Sequence, residues 1–333
     1  MGQRYIKTAL ITGAAGFIGS HLVDLLHENN YNVVCFVIKE DDLRWIEGKE
    51  VKVVYGDIRD KSSLYPVIDD SIQYVFHLAA VVKSPSSEPY FSVNVGGTKN
   101  IVEVCIKNSP LLKRFIYTSS VAATGPGDES TIRKETDLCN PITEYGRSKL
   151  QTERFLMENK GRLPYTILRP ALVYGPRDFR GISSYFKLIS KGLKPILGEG
   201  FTNVIYVKDL VRCLLLAAEM DEALYQTYFV GNEHIYSYRE IADTISAVME
   251  KKTFILKIPL PLLYTAGALL GAYSKMTHTL PLFDLRRARD IKYRYWMCDT
   301  SKAGKELGFI PKYTLEEGVK ETIDWYKKEG WIK

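Results

Sequence analysis

Tyr145 and Lys149 stand four residues apart in Glu144-Tyr145-Gly146-Arg147-Ser148-Lys149, and a helix there stacks them on one face with the ammonium near the phenol. A phenol ordinarily gives up its proton only at about pH 10. It becomes a useful acid or base near neutrality when a neighbouring cation favours the phenolate, and Lys149 is the cation that this spacing supplies. The run Phe115-Ile116-Tyr117-Thr118-Ser119-Ser120 closes on three hydroxyls, the last of them 25 residues before Tyr145. Any of the three is able to hydrogen-bond a reacting substrate oxygen. Tyr-x-x-x-Lys alone arises by chance on many helical surfaces, so its meaning depends on its company.

That company begins near the N-terminus. Leu10-Ile11-Thr12-Gly13-Ala14-Ala15-Gly16-Phe17-Ile18-Gly19 closes a strand-like run and opens a helix-like one. Glycines let the backbone turn sharply, let a pyrophosphate approach the helix N-terminus and let helix pack on strand, while the first-turn N–H groups favour the anion. The spacing Gly-x-x-Gly-x-x-Gly is one residue longer than the commonest dinucleotide fingerprint.

The elements that must hold these residues follow from the hydrophobic pattern. Strand candidates are Thr8–Thr12, Val33–Val37, Val51–Tyr55, Tyr74–Leu78, Phe115–Ser119 and Thr166–Leu168, separated by helix-like stretches near 17–29, 60–69, 88–108 and 144–158. Such alternation predicts a doubly wound α/β fold, a parallel sheet of Rossmann type with helices on both faces. After Pro170 the pattern changes. Gly175-Pro176-Arg177-Asp178 breaks the chain, 183–191 reads as helix and 194–202 as turns; Val204–Val207, Leu210–Ala218 and Thr227–Val230 return as strand, helix and strand. The remainder reads as mostly helical. The expected division is a dinucleotide-binding domain, 1–175 plus 204–232, and a smaller, mostly helical substrate domain, 176–203 plus 233–333.

Thr12-Gly13-x-x-Gly16-x-x-Gly19, Gly56-Asp57-Ile58, His77-Leu78-Ala79-Ala80, Asn94-Val95-x-Gly97-Thr98, Ser119-Ser120, Tyr145-x-x-x-Lys149 and Arg169-Pro170 occur in that order over nearly the whole chain. Together they resemble the extended branch of the short-chain dehydrogenase/reductase superfamily. The resemblance implies that Gly13, Gly16 and Gly19 with Phe17 and Ile18 line the pyrophosphate, that Asp57 and Ile58 contact the adenine, and that Leu78, Ala79 and Ala80 floor the cofactor cleft. It implies that Asn94 orders the active-site helix and that Thr118 and Pro170 lie near the nicotinamide ribose and amide. The interval of 25 residues to Tyr145 selects Ser120 over Ser119 and Thr118 as the active-site hydroxyl. Tyr145 then passes the proton, and Lys149 holds the ribose hydroxyls and lowers the phenol pKa, while hydride moves between a substrate carbon and the nicotinamide. A homodimer through helices near 88–108 and 144–158 is implied as well.

The choice between NAD and NADP rests on the end of the second strand. An acid there would take the ribose 2′-hydroxyl, yet Cys35-Phe36-Val37-Ile38-Lys39 offers none before Glu40-Asp41-Asp42. Lys39, with Arg44, suits a 2′-phosphate, which favours NADP over NAD; the arginine usual in NADP-selecting reductase relatives is Ile38 here.

Composition excludes more than it selects. Lys plus Arg number 45 against 39 Asp plus Glu among 333 residues, a formal charge of +6 with both signs scattered, so no nucleic-acid tract is evident. The five cysteines, Cys35, Cys105, Cys139, Cys213 and Cys298, lack metal or disulfide spacing. No signal core precedes the first strand, and a reducing cytoplasm is the expected compartment. The uncharged run Ile258–Ser274 is short for a membrane span and reads as a buried or half-buried helix, with an apolar lid or a bilayer contact as the alternative. His77 reads as a packed core histidine with no second metal ligand spaced to it. No nucleophile elbow is present.

Three functions remain. The apolar 258–273 segment, Asp299-Thr300-Ser301-Lys302-Ala303 and Leu307-Gly308-Phe309-x-Pro311 resemble the 3β-hydroxysteroid dehydrogenase and dihydroflavonol reductase-like groups, implying a bulky, partly apolar alcohol or ketone. A nucleotide-sugar 4-epimerase uses the same triad; its diphosphate anchors are missing at Tyr174–Phe179 and Gly198–Asp209, leaving Arg177, Arg180 or the arginines of 286–289 to grip phosphates. The nucleotide-sugar dehydratases of the branch this chain resembles place an acidic pair just after the active-site hydroxyl, where Val121-Ala122 stands here, so the resemblance disfavours dehydration. A nucleotide-sensing protein without turnover would have no use for Tyr145 and Lys149.

Overall fold

β-Branched and aromatic runs too apolar for a surface become strands buried on both faces, as a parallel sheet requires. A computed structural model describes residues 7–179, 181–196, 198–256, 260–277 and 292–332. The strands are β1 (Thr8–Thr12), β2 (Asn32–Val37), β3 (Lys52–Tyr55), β4 (Tyr74–His77), β5 (Arg114–Thr118) and β6 (Tyr165–Pro170), and every residue of β1, β4, β5 and β6 is buried. With β11 (Thr227–Val230) they form one seven-stranded sheet in the order β11-β6-β5-β4-β1-β2-β3. All its pairings are parallel. This is the expected Rossmann-type sheet.

Helices cover both faces. On one, α1 (Phe17–Glu28) and α6 (Val207–Glu219) bury Leu22, Val23, Leu26, Leu210, Val211 and Leu214. On the other, α3 (Thr98–Asn108) and α4 (Glu144–Glu158) bury Ile101, Val102, Cys105 and Leu156. Each such side chain contributes about 1.5–3 kcal/mol on leaving water. From β1 the chain winds toward β2 and β3, and from β4 toward β5 and β6, so the order reverses between β1 and β4. The crevice outside the carboxyl ends of those strands is where ligands of such sheets bind.

Some elements differ from the sequence reading. The helix expected over 60–69 is a single 3₁₀ turn, Lys61–Ser63: Asp60 caps Ser62 and Pro66, lacking an N–H, stops propagation. The stretch 88–108 is broken into α2 (Glu88–Phe91), a π-helical turn Ser92–Gly97 and α3. Past Pro170 the strand expected at 204–207 is present, and it is joined by short strands the sequence reading passed over. β7 (Leu172–Tyr174) pairs with β10 (Val204–Tyr206), β8 (Leu193–Pro195) with β13 (Phe254–Leu256), and β9 (Phe201–Thr202) lies between β12 (Tyr236–Ser237) and β14 (Tyr295–Trp296). Two- and three-residue strands are too short to show alternation.

A third core cluster joins α5 (Ser183–Ser190), α7 (Tyr238–Val248) and α10 (Leu315–Lys328) through Phe186, Ile189, Ile241, Ile245, Val319, Ile323 and Tyr326. Ser237 with Glu240, and Thr314 with Glu317, form capping boxes that start α7 and α10. Between them lie α8 (Leu260–Thr277) and α9 (Ser301–Leu307). Of the buried or half-buried helix expected over Ile258–Ser274, α8 shows the half-buried form, with Gly267 buried and Leu262, Leu269 and Leu270 exposed; Ile258 and Pro259 lie outside the described residues. Among the described residues no helix is long and apolar enough to cross a membrane.

Candidate functional site

Gly13 sits at φ +71° directly after β1, and a Cβ there would stand 2.8 Å from the Ala79 nitrogen. Gly19, inside the first turn of α1, has room for no side chain because a Cβ would meet the Gly13 carbonyl oxygen at 2.0 Å. Gly16 caps α1 with no side-chain bond and faces solvent. The helix N-terminus therefore lies at the switch crevice with no side-chain cap among the described residues and no acid in its first turn, the donor arrangement that suits a pyrophosphate. Phe17, Ile18, Leu78, Ala79 and Ala80 are partly exposed around it. Thr12 ties the two strand ends together, its hydroxyl accepting the Ala79 N–H at 3.2 Å and meeting His77 Nδ1 at 2.6 Å.

Three chemically active side chains meet beyond β5. Ser120 caps a 3₁₀ turn, Val121–Ala123, its Oγ accepting the Ala122 N–H at 3.1 Å, and its side chain is the neighbour that, against the upward pull of burial, draws the Tyr145 phenol pKa down. Lys149 is 2 % exposed and donates to the Thr118 carbonyl at 2.7 Å, while its Nζ lies 5.8 Å from the Tyr145 ring centre and 4.8 Å from that of Tyr117. Burial pushes the phenol of Tyr145 up to about 12, opposed by the Ser120 side chain. Burial pulls Lys149 down to about 7, opposed by the charge of Glu153. The lowering of the phenol pKa expected from Lys149 is thus not realised in this geometry, because the amine turns to the Thr118 carbonyl and itself resists charge. Thr118 Oγ1, at the same strand end, is buried without a partner among the described residues, and an orphaned hydroxyl beside Lys149 fits a polar ligand such as a nicotinamide riboside.

Among the residues that position these side chains, Gly146, Thr143 and Glu153 carried little or no sequence signal, whereas Asn94 was expected from its motif. Gly146, between Tyr145 and Lys149, allows α4 to press on the turn after β5, since a Cβ there would stand 2.2 Å from the Ala122 carbonyl oxygen. Thr143 starts that helix by accepting the Gly146 N–H at 3.0 Å. Asn94 lies in the π-helical turn, a distortion frequent at functional sites. Its side chain accepts the Val81 N–H at 2.7 Å and donates to the Val81 carbonyl at 3.0 Å and to Ser148 Oγ at 2.9 Å, so it ties α4 to the loop after β4. Glu153, fully buried one turn past Lys149, accepts Arg169 Nε at 3.0 Å, Arg169 Nη2 at 2.7 Å and the Ser119 hydroxyl at 2.5 Å. That use of Ser119 leaves Ser120 as the serine hydroxyl facing Tyr145.

Other candidates lie farther along the sheet edge. Lys39 is exposed just after β2. Arg44 pairs with Asp42 and stacks on Trp45 and Phe179, so it is already engaged. The Asp57 carboxylate holds Arg59, which keeps it below the usual carboxylate range, and Ile58 is buried against Gly97. Pro170 ends β6. His77 is 1 % exposed, bridges Thr12 and Thr98 at 2.6 and 2.7 Å, and is driven down to about 3 by burial. Arg177 is held by Asp24 at 2.8 Å over the Trp45 ring. Arg180 and the arginines of 286–289 lie outside the described residues. Thr202 and Asn203 are buried, with Asn203 bonded to Cys298 N and the Asn232 carbonyl.

A family model described as the NAD dependent epimerase/dehydratase family matches residues 9–231. A ceramide reductase of Caulobacter vibrioides is 27% identical, with 97% of this chain and 95% of the relative covered. A 3beta-hydroxysteroid-dehydrogenase/decarboxylase isoform 1 of Arabidopsis thaliana is 28% identical over 96% of this chain and 79% of its own length. The crystal structure of UDP-glucose 4-epimerase with UDP-glucose from Thermotoga maritima superposes with a TM-score of 0.79 at 26% identity, covering 97% of this chain and 99% of that one. The chain belongs to the NAD dependent epimerase/dehydratase family, in the extended short-chain dehydrogenase/reductase branch that its motifs resemble, and is an enzyme of its dehydrogenase, reductase or epimerase kind.

Proposed function

We propose, taking that membership as premise, that the enzyme interconverts a secondary alcohol and a ketone on a bulky, partly apolar substrate with net oxidation or reduction. The observation that carries the alcohol–ketone step of this reading is the meeting of Ser120, Tyr145 and Lys149 beyond β5. The cofactor, when bound, supplies hydride acceptance and donation. Gly13, Gly16, Gly19, Phe17 and Ile18 would hold its pyrophosphate, Asp57 and Ile58 its adenine, Leu78, Ala79 and Ala80 would floor the cleft, and Thr118 and Pro170 would flank the nicotinamide end. Ser120 positions the substrate oxygen, Tyr145 gives or takes its proton, and Lys149 would bind the ribose hydroxyls of the cofactor. With the cofactor bound, Tyr145 would be the phenol whose ionised form a cationic nicotinamide favours, against the upward pull of burial.

NADP is the proposed form, through Lys39, since Arg44 is neutralised by Asp42. Segments 176–203 and 233–333 are proposed as the substrate side, and the α2–α3 and α4 faces as a homodimer contact. The apolar substrate class is supported by Val121-Ala122 next to Ser120, by the buried Thr202 and Asn203 where a diphosphate anchor would stand, and by relatives named for ceramide and steroid substrates.

A second reading, a nucleotide-sugar 4-epimerase with tightly held NAD, is favoured by one observation. Arg294 packs so closely on Gly198 that a Cβ there would meet its Nη1 at 2.3 Å, and its buried Nε has no partner among the described residues. A panel of apolar ketones, secondary alcohols and UDP-sugars assayed with both cofactors separates the two. Stoichiometric change in reduced cofactor with an apolar ketone or alcohol supports the first, and sugar interconversion at constant absorbance replaces it with the second.

A further inference from the structure

At the edge of the molecule β8 and β13 form a two-stranded parallel ribbon, Phe254 opposite Leu193 and Leu256 opposite Pro195. Successive side chains of a strand point to opposite faces, so a strand lying on a protein core buries every second one. β13 does not: Phe254 is 78 % exposed, and Ile255 and Leu256 are exposed beside it, with Leu188 and Leu193 from the neighbouring elements. Helix α8 follows closely in the chain, and its sequence from Leu260 to Ser274 contains no charge. Leu262 and Leu269, two turns apart on one face, are 59 % and 72 % exposed, and Leu270 lies next to them. A helix without a polar face belongs against apolar surroundings, and exposed apolar side chains grouped on a short strand and along one helix face mark contact sites.

The charges nearby decide what makes the contact. Lys191 precedes β8, and Lys251 and Lys252 precede β13; the two chain segments are joined where Phe254 N–H donates to the Gly192 carbonyl at 2.9 Å. All three lysines are exposed and none pairs with an acid among the described residues. Lys194 holds Asp243, which leaves Glu250 as the acid nearest them in sequence. We propose that the β8–β13 ribbon and α8 dock the protein onto an anionic lipid bilayer, side chains from both faces of β13 entering the hydrocarbon while Lys191, Lys251 and Lys252 meet the headgroups. A strand exposed on both faces fits a fluid phase that closes around it, where a folded partner would need a slot. This goes beyond the redox reading and stands without it.

Sedimentation of the full-length protein with phosphatidylcholine vesicles, with and without phosphatidylserine, tests the proposal. Binding is expected only with phosphatidylserine, falling with salt. Reversal of the three lysines (K191E, K251E, K252E) should weaken it about a hundredfold, and Phe254→Asp or Leu269→Asp should abolish it with thermal melting unchanged. Phe254→Trp guards against a variant that fails to fold: its fluorescence should be quenched by brominated lipid. Absence of binding at low salt, equal binding by the lysine variant, no quenching, or a wild-type dimer that Phe254→Asp makes monomeric without any vesicle binding would each overturn it, the last assigning the patch to a second copy of the chain.

Discussion

A methyl group on Gly146 would stand 2.2 Å from the carbonyl oxygen of Ala122. That contact sets how near α4, with Tyr145 and Lys149, comes to Ser120 at the head of the same turn. Helix propensity alone favours alanine over glycine by about 1 kcal/mol, so Gly146→Ala should stabilise an isolated helix. In this protein α4 must instead move outward. The expected outcome is a folded enzyme with kcat/KM reduced about 10²-fold and cofactor affinity at the Gly13–Gly19 end little changed, measured by steady-state kinetics and cofactor titration.

Glu153 and Arg169 form a buried bidentate pair under the site. Removing one partner leaves the other charge unpaired, so Glu153→Gln should lower unfolding free energy by about 3–5 kcal/mol. The same change removes the one charge that supports the Lys149 ammonium, and the pH profile of activity should shift in the variant. Denaturant unfolding and pH–rate profiles check the two halves separately.

Lys149 resists its charge in the folded state, down to about 7 from 10.5. The unfolded chain therefore binds a proton that the folded one lacks between those values, and stability rises with pH across that window. The cost is fully present below about 7 and fades as pH climbs. Lys149→Met, measured without added cofactor, should gain stability over wild type at pH 7 and gain less near pH 9.5, roughly. A constant difference would show that burial of the amine is not the cause.

Lys39 is exposed after β2 while Arg44 is held by Asp42. Lys39→Ala should weaken NADP binding by about 10–100-fold, the worth of a charge-assisted hydrogen bond to phosphate, and leave NAD binding unchanged. Calorimetric titration of both cofactors reads the difference.

The sheet and the Ser120, Tyr145 and Lys149 cluster were legible because long buried strands, a glycine loop and a helical i, i+4 pair each leave a local pattern. The π-helical turn under Asn94 was not, since nothing in Ser92-Val93-Asn94-Val95-Gly96-Gly97 distinguishes it from an ordinary turn of helix. Glu153 and Arg169 are 16 residues apart, and a pairing at that distance follows only from the crossing of α4 over β6. The direction of the Lys149 amine was likewise invisible, because the competing acceptor is a backbone carbonyl, which every residue has. β8, β9, β12, β13 and β14 escaped notice because strands so short are defined by their partners.

The central claim is that Tyr145 carries the proton to and from the substrate oxygen. Steady-state turnover of Tyr145→Phe, beside wild type and with cofactor affinity measured on the same preparations, tests it most directly. The account predicts kcat lowered about 10²–10⁴-fold with cofactor affinity retained. Turnover within twofold of wild type, roughly, is below any general acid–base contribution and would contradict it.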